Sequence, residues 1–299
     1  MNPRLKAVLK QVLPPIVIET AKLVRGRAGE QQGAASLRPP EWEAVPDTEA
    51  IWTAQQGWSH QSIAQTQRKR WPAFLAALDG PAPFGSSHEA TPDAPPAVDP
   101  HNTIITFGYV LGRVAAQRRR ISILDWGGGI GHYYEYARRL RPDLEFDYVI
   151  KDVAPICEVG RKLVPDVAFT SDEADALGRS YDLVFASSSL QYSRDLYGVL
   201  ARLCDAAAPW LMVTRSPFVD HHDDFAVVQR PHRYGYLTEY PAWFINRRRF
   251  LAAAEARGLR LEREFMLDER PDVANAPEQC RYRGFLFRRP EEQPQLVGS

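Results

Sequence analysis

The sequence is poor in cysteine: Cys157, Cys204 and Cys280 are the only three in 299 residues. They lie far apart, share no C-x-x-C spacing and are odd in number. That argues against a disulfide framework and a structural zinc site, and suits a reducing cytoplasm. Charge of one sign is lacking as well. The 37 Lys and Arg balance 37 Asp and Glu, so no global field draws the chain to nucleic acid or to an acidic surface. No apolar run approaches the ~20 residues of a membrane-spanning helix. No clean apolar stretch precedes a small-residue cleavage site, so a secretory signal is not expected either. Internal repeats are absent. The remainder, 44% apolar and 25% charged, is an ordinary globular composition, ample for a domain of typical size plus an extension.

Four regions follow along the chain. In residues 1–40, Leu5, Val8, Leu9, Val12 and Leu13 fall at helical spacing beside Arg4, Lys6 and Lys10. After Pro14-Pro15, Ile16 to Val24 resume near Lys22, Arg25 and Arg27. Such a basic amphipathic segment over 1–30 either makes peripheral contact with an anionic membrane or packs on the core; residues 28–40 read as a linker. Over 41–100, Trp42, Trp52, Trp58 and Trp71 predict an extension folded against the main domain. A helical pair broken at Pro72 is expected between Trp58 and Leu78, then an irregular loop or lid over 80–100. Residues 101–290 alternate strand and helix patterns, which predicts a doubly wound α/β sheet. Residues 291–299 are expected to be a disordered tail.

The chemistry concentrates in Asp125-Trp126-Gly127-Gly128-Gly129-Ile130-Gly131. Ile121, Ile123 and Leu124 make the strand before it; Tyr133, Tyr136, Ala137 and Leu140 stripe a helix after it. Strand, glycine turn and helix let a backbone approach a nucleotide-like ligand, with helix N–H groups presented to it. The dinucleotide spacing G-x-G-x-x-G is missing, because His132 stands three residues after Gly129. Phe146, Tyr148 and Ile150 then alternate into a strand ending at Asp152, placed to accept from ribose hydroxyls or, more blandly, to cap the next helix.

Ligands in such sheets sit outside the strands' carboxyl ends. The loops expected there are Ser171-Asp172, suited to an adenine amino group, then Ser187 to Tyr192, Thr214 to Phe218, and Asp220 to Asp224. Asn246 is expected to cap a helix that Gly258 ends.

The D-x-G-x-G-x-G pattern at Asp125–Gly131 resembles the first motif of the class I S-adenosylmethionine-dependent methyltransferases. The resemblance implies a Rossmann-like, seven-stranded sheet with an antiparallel terminal hairpin, and S-adenosyl-L-methionine as cofactor. Cofactor contacts are expected at Asp125, Gly127, Gly128, Gly129, Gly131, Asp152, Asp172 and Ser188. From about 41 to 288 the chain is also similar to a methyltransferase family associated with bacterial surface-polysaccharide gene clusters. Besides the glycine motif, Ser188-Ser189-Leu190-Gln191-Tyr192, Arg215-Ser216-Pro217-Phe218 and Tyr240-Pro241-Ala242-Trp243-Phe244-Ile245-Asn246 carry that likeness. The sequence departs from it at Trp126, often Phe or Tyr, and at Asp152, where a glutamate is usual. This narrower resemblance implies methyl transfer to a saccharide or other small molecule, in the cytoplasm or at the inner membrane face.

On the acceptor side the candidates are Gln191, Tyr192, Arg215 and His221. Gln191 can bond a hydroxyl or cap a helix. Arg215 can hold a carboxylate or phosphate, or make an internal ion pair. Adjacent His221 and His222 diverge in most backbones, so no metal is expected despite Asp220, Asp223 and Asp224 beside them. The basic runs at 118–120 and 247–249 read as solvated ends, not a nucleic-acid site. Two other readings stand beside methyl transfer: a catalytically silent cofactor-binding scaffold near a membrane, and a nicotinamide-dependent oxidoreductase.

Overall fold

The computed structural model describes residues 39–46, 52, 57–85, 95–116 and 118–290. The chain divides after Pro40. The amphipathic segment expected over 1–30, most of its linker, the tail 291–299 and part of the expected loop (86–94) lie outside the described residues.

From Glu41 onward the elements are β1 (Trp42–Ala44), α1 (Gln61–Leu78), α2 (Val98–Ala115), β2 (Arg120–Trp126), α3 (His132–Leu140), β3 (Glu145–Lys151), α4 (Ala154–Leu163) and β4 (Ala168–Thr170). There follow α5 (Glu173–Ala176), β5 (Tyr181–Ser187), α6 (Leu196–Ala206), β6 (Ala207–Val219), β7 (Phe225–Gln229), β8 (Tyr240–Asn246), α7 (Arg247–Ala256), β9 (Arg260–Met266), β10 (Val273–Ala274) and β11 (Arg281–Arg288).

Seven strands run side by side in the order β4-β3-β2-β5-β6-β11-β9. The first five are parallel, and β11 lies antiparallel between β6 and β9. This is the doubly wound sheet with an antiparallel terminal hairpin. Its central strands are apolar on both faces, because both are covered. Ile123, Leu183 and Met212 point into one core with α1, α2, α3 and α4. Their neighbours Leu124, Val184 and Leu211 point into the other, under α6 and α7. Successive residues go to opposite faces, as a strand requires. Asn246 caps α7 by accepting from Arg249 N at 2.9 Å, and Gly258 follows the helix with φ +77°.

Three expectations need correction. Pro72 does not split a helical pair; α1 runs through it from Gln61 to Leu78. The ring is exposed, while Ile63, Trp71, Phe74 and Leu78 bury one continuous face on either side, which outweighs the lost backbone hydrogen bond. Helix α2 starts at Val98, inside the segment expected to stay irregular to residue 100. Thr214 to Phe218 is not a loop but the second half of β6, a 13-residue strand. Its end pairs with β11 on one side and, through Phe218 and Val219, with β8 on the other. Beyond β8 the order continues β7-β1-β10, an extension closed by a third core that includes Trp42, Phe244 and Tyr282.

The three cysteines are buried and free. Among the described residues no helix is long and apolar enough to cross a membrane, and no His, Cys, Asp and Glu cluster could hold a metal ion.

Candidate functional site

Strand β2 delivers the chain into a turn whose φ values are +72° at Gly127 and +63° at Gly129, a region that side chains disfavour. A Cβ on Gly127 would stand 2.3 Å from Ser189 Cβ, so the turn packs directly against the Ser189 side chain in the loop after β5. At the end of β3, Asp152 ties the turn down. Its Oδ2 accepts from Gly129 N at 2.8 Å and its Oδ1 from Val153 N at 2.7 Å. Burial pushes this carboxyl up, while those two N–H groups pull it back. Beneath the turn, Tyr148 donates to Asp125 Oδ2 at 2.9 Å, and Asp125 Oδ1 has no partner. Burial drives Asp125 up to about 7, against the Tyr148 hydrogen bond and with help from the charge of Asp152.

A cavity of about 530 Å³ opens at the carboxyl ends of the strands. One end is lined by the glycine turn, Trp126, Asp152, Glu173, Val199 and Arg202. The other is aromatic. Trp58, in a 3-10 turn before α1, stacks on Tyr240 of β8 with centroids 4.7 Å apart, and Tyr192 meets each ring edge-on at 5.1 Å. Tyr192 donates to Gln229 Oε1 at 2.8 Å, which fixes its ring. His132 also lines the cavity, edge-on to Trp71 and Phe74; burial pushes its imidazole down to about 3, so it is neutral at pH 7.

Arg215 reaches the cavity through a bulge. Arg283 pairs with Ser216 and Phe285 with Val213, so Thr214 and Arg215 together oppose Gly284. Arg215 takes φ +52°, and an extra residue of this kind re-aims a side chain out of the strand's alternation. Its Nε donates to Glu269 Oε1 at 2.8 Å, and Glu269 lines the cavity too. Tyr133 Oη and Ser187 Oγ, 2.9 Å apart, complete this wall. Four buried polar atoms on cavity-lining residues lack a hydrogen-bond partner: Trp52 Nε1, Trp58 Nε1, Gln67 Oε1 and Thr103 Oγ1.

Of the residues expected from sequence, Gly127, Gly128, Gly129, Asp152, Ser188, Tyr192 and Arg215 line this cavity together. Five do not. Asp125 is buried beneath the glycine turn, off the cavity surface. Gly131 is the N-cap of α3, packed against Val164. Asp172 caps α5, accepting from Ala174 N and Asp175 N, and its neighbour Glu173 faces the cavity instead. Gln191 is fully buried, donating to Ser188 Oγ and accepting from the Ser216 hydroxyl, so it braces the loop. His221 is exposed on the turn after β6, where the N–H groups of Asp220, His221 and His222 all donate to Glu278. Trp58, Gln67, Thr103 and Glu269 were not anticipated. Gln67 had a readable signal: it is a polar residue on the stripe Ile63, Trp71, Phe74 that the helix buries.

No family model matches the sequence, and neither does any curated protein. Among solved structures, magnesium protoporphyrin IX methyltransferase from Synechocystis PCC 6803 with bound SAH superposes with a TM-score of 0.50 at 14% identity, over 78% of this chain and 97% of that one. The same enzyme with bound SAM gives 0.50 at 14%, over 83% and 100%. The fold is that of the S-adenosylmethionine-dependent methyltransferases. The mitomycin 7-O-methyltransferase MmcR is more distant, with a TM-score of 0.42 at 19% identity over 64% and 55% of the two chains. In the methyltransferase fold the glycine turn and Asp152 occupy the ends of adjacent parallel strands, where a doubly wound sheet binds its ligand. The narrower resemblance to a polysaccharide-cluster family rests on the sequence motifs alone.

Proposed function

We propose that the protein transfers a methyl group from S-adenosyl-L-methionine to a small-molecule acceptor, with a saccharide as the favoured class. One observation carries the reading: a single cavity joins the glycine turn and Asp152 to a wall of stacked aromatic rings. The residues suit the cofactor. The glycines allow backbone approach, Asp152 keeps lone pairs for ribose hydroxyls, and unpartnered Gln67 and Thr103 await a polar ligand. When bound, the cofactor supplies an electrophilic methyl on a cationic sulfur. The chain's task is then to hold the acceptor in line and exclude water. Trp58 and Tyr192, backed by the buried Tyr240, offer aromatic surface to a sugar's apolar side, and Glu269, held by Arg215, accepts from an acceptor hydroxyl. Nucleic acid is not the proposed acceptor: Arg118 pairs with Asp182, Arg247 with Glu264 and Arg249 with Asp224.

Calorimetry tests the cofactor half. The protein should bind S-adenosylhomocysteine and not NAD, and Asp152→Ala should weaken that binding by about 1.5–3 kcal/mol, roughly 10- to 150-fold. Arg215→Ala should leave it near wild type. Binding of NAD without S-adenosylhomocysteine would overturn the reading.

A further inference from the structure

Helix α1 precedes the sheet that builds the cofactor end, yet it places one polar side chain in the cavity. Gln67 is 3% exposed, and its Oε1 has no hydrogen-bond partner. That oxygen lies 3.6 Å from where a Cβ on Gly129 would be, and His132 Nδ1 lies 3.5 Å from the same point. Gln67 therefore overhangs the part of the glycine turn that has no side chain of its own. A buried amide oxygen left unpaired costs on the order of 1–3 kcal/mol, a cost that a ligand donor removes.

Which donor meets it follows from the two faces of the sheet. Trp126 and Val199 belong to the core under α6 and α7, and with Glu173 and Arg202 they line the cavity on that side. Tyr136 and Ile104 belong to the opposite core, and they line the cavity with Gln67, Thr103 and His132. Asp152, at the second strand end, takes the ribose. With the adenine at the loop after β4, as expected from sequence and beside the cavity-lining Glu173, the ligand extends its amino-acid end over Gly129 to the α1 side. The group there that donates without accepting is the ammonium. A neutral amide oxygen can accept from it, and the neutral His132 adds no opposing charge. Thr103 Oγ1, equally unpartnered, is a donor available to the carboxylate.

We infer that Gln67 is a cofactor-binding residue that reads the amino-acid end of the ligand, so that α1 completes a site otherwise built by the sheet. The inference rests on the methyltransferase reading. Its test compares S-adenosylhomocysteine with 5′-methylthioadenosine, which keeps the adenosine and sulfur but lacks the amino acid. Calorimetry on Gln67→Met should show roughly tenfold weaker S-adenosylhomocysteine binding. 5′-Methylthioadenosine binding should stay within about twofold, which also shows that the variant is folded. Gln67→Glu, which keeps an acceptor oxygen, should retain most of the affinity. Equal loss of both ligands would make Gln67 a structural residue, and unchanged S-adenosylhomocysteine binding would remove it from the site; either overturns the inference alone. Wild-type protein that binds neither ligand overturns it together with the methyltransferase reading.

Discussion

Asp125 sits in the deepest part of the site, and its proton links folding to ligand binding. Held up to about 7 by burial, it keeps a proton in the folded protein that the unfolded chain releases near pH 4. Its contribution to stability is therefore complete below pH 4 and is lost as pH rises through about 7. A cationic ligand above the glycine turn favours the carboxylate. Binding of S-adenosylmethionine should thus tighten between pH 6 and pH 8 and release protons, measurable as a buffer-dependent enthalpy. Asp125→Asn should flatten that dependence; a profile unchanged by the substitution would assign the proton elsewhere. The glycines and Asp152 were legible in the sequence, because left-handed turns and strand-end acids leave fixed spacings. Asp172 stands at a helix N-cap, a place the same residue type also takes, and Glu173 beside it has the cavity-facing position. Gln67 was passed over although its place as a polar residue on the buried stripe Ile63, Trp71, Phe74 marks it.

Among the elements, the paired histidines after β6 belong to a tight turn. Three consecutive N–H groups converge on Glu278; although burial pushes its carboxyl up, those hydrogen bonds prevail and hold it below its ordinary value. The stabilisation this gives is present above the unfolded value near pH 4.3 and fades as acid protonates the group. Glu278→Gln should speed hydrogen exchange at the amides of 220–222 while leaving cofactor affinity unchanged. Exchange rates identical to wild type would show that the turn is held by other contacts. Strands β2 and β3 and helix α3 were readable from periodicity. Strands β7 and β8 and the second half of β6 were not, for a physical reason. Pro217 and Pro241 lie inside strands, where the missing N–H normally argues against a sheet, and Arg215 adds a bulge. Side pairing with β11 and β8 sustains them, and no local sequence pattern records it.

For the whole molecule, alternating strand and helix patterns were enough to predict a doubly wound sheet, since each βα unit buries its own apolar face; its seven strands and antiparallel hairpin were implied by the methyltransferase resemblance. The four-strand extension depends on Trp42 meeting residues about 200 positions away, which no local window reports. If the basic apolar segment of residues 1–30 is a membrane-surface anchor and not a part of the core, the protein attaches to anionic vesicles. Removing those residues, or raising the salt, should release the protein in a flotation assay while turnover of a soluble acceptor is unchanged. Loss of folding on truncation would instead make the segment part of the core.

Strand β6 is a single 13-residue beam that joins the seven-stranded part of the sheet to its four-strand extension. It touches β5 near the glycine turn, bends Arg215 into the cavity, and ends against β8, which bears Tyr240. Floor and far wall are therefore joined by a single rigid member and cannot part without breaking strand pairing. Trp58 and Gln67 come instead from the segment around α1, outside that member, so a widening of the cavity on their side leaves strand pairing intact. A cofactor held by Gln67 would tie that segment to the sheet.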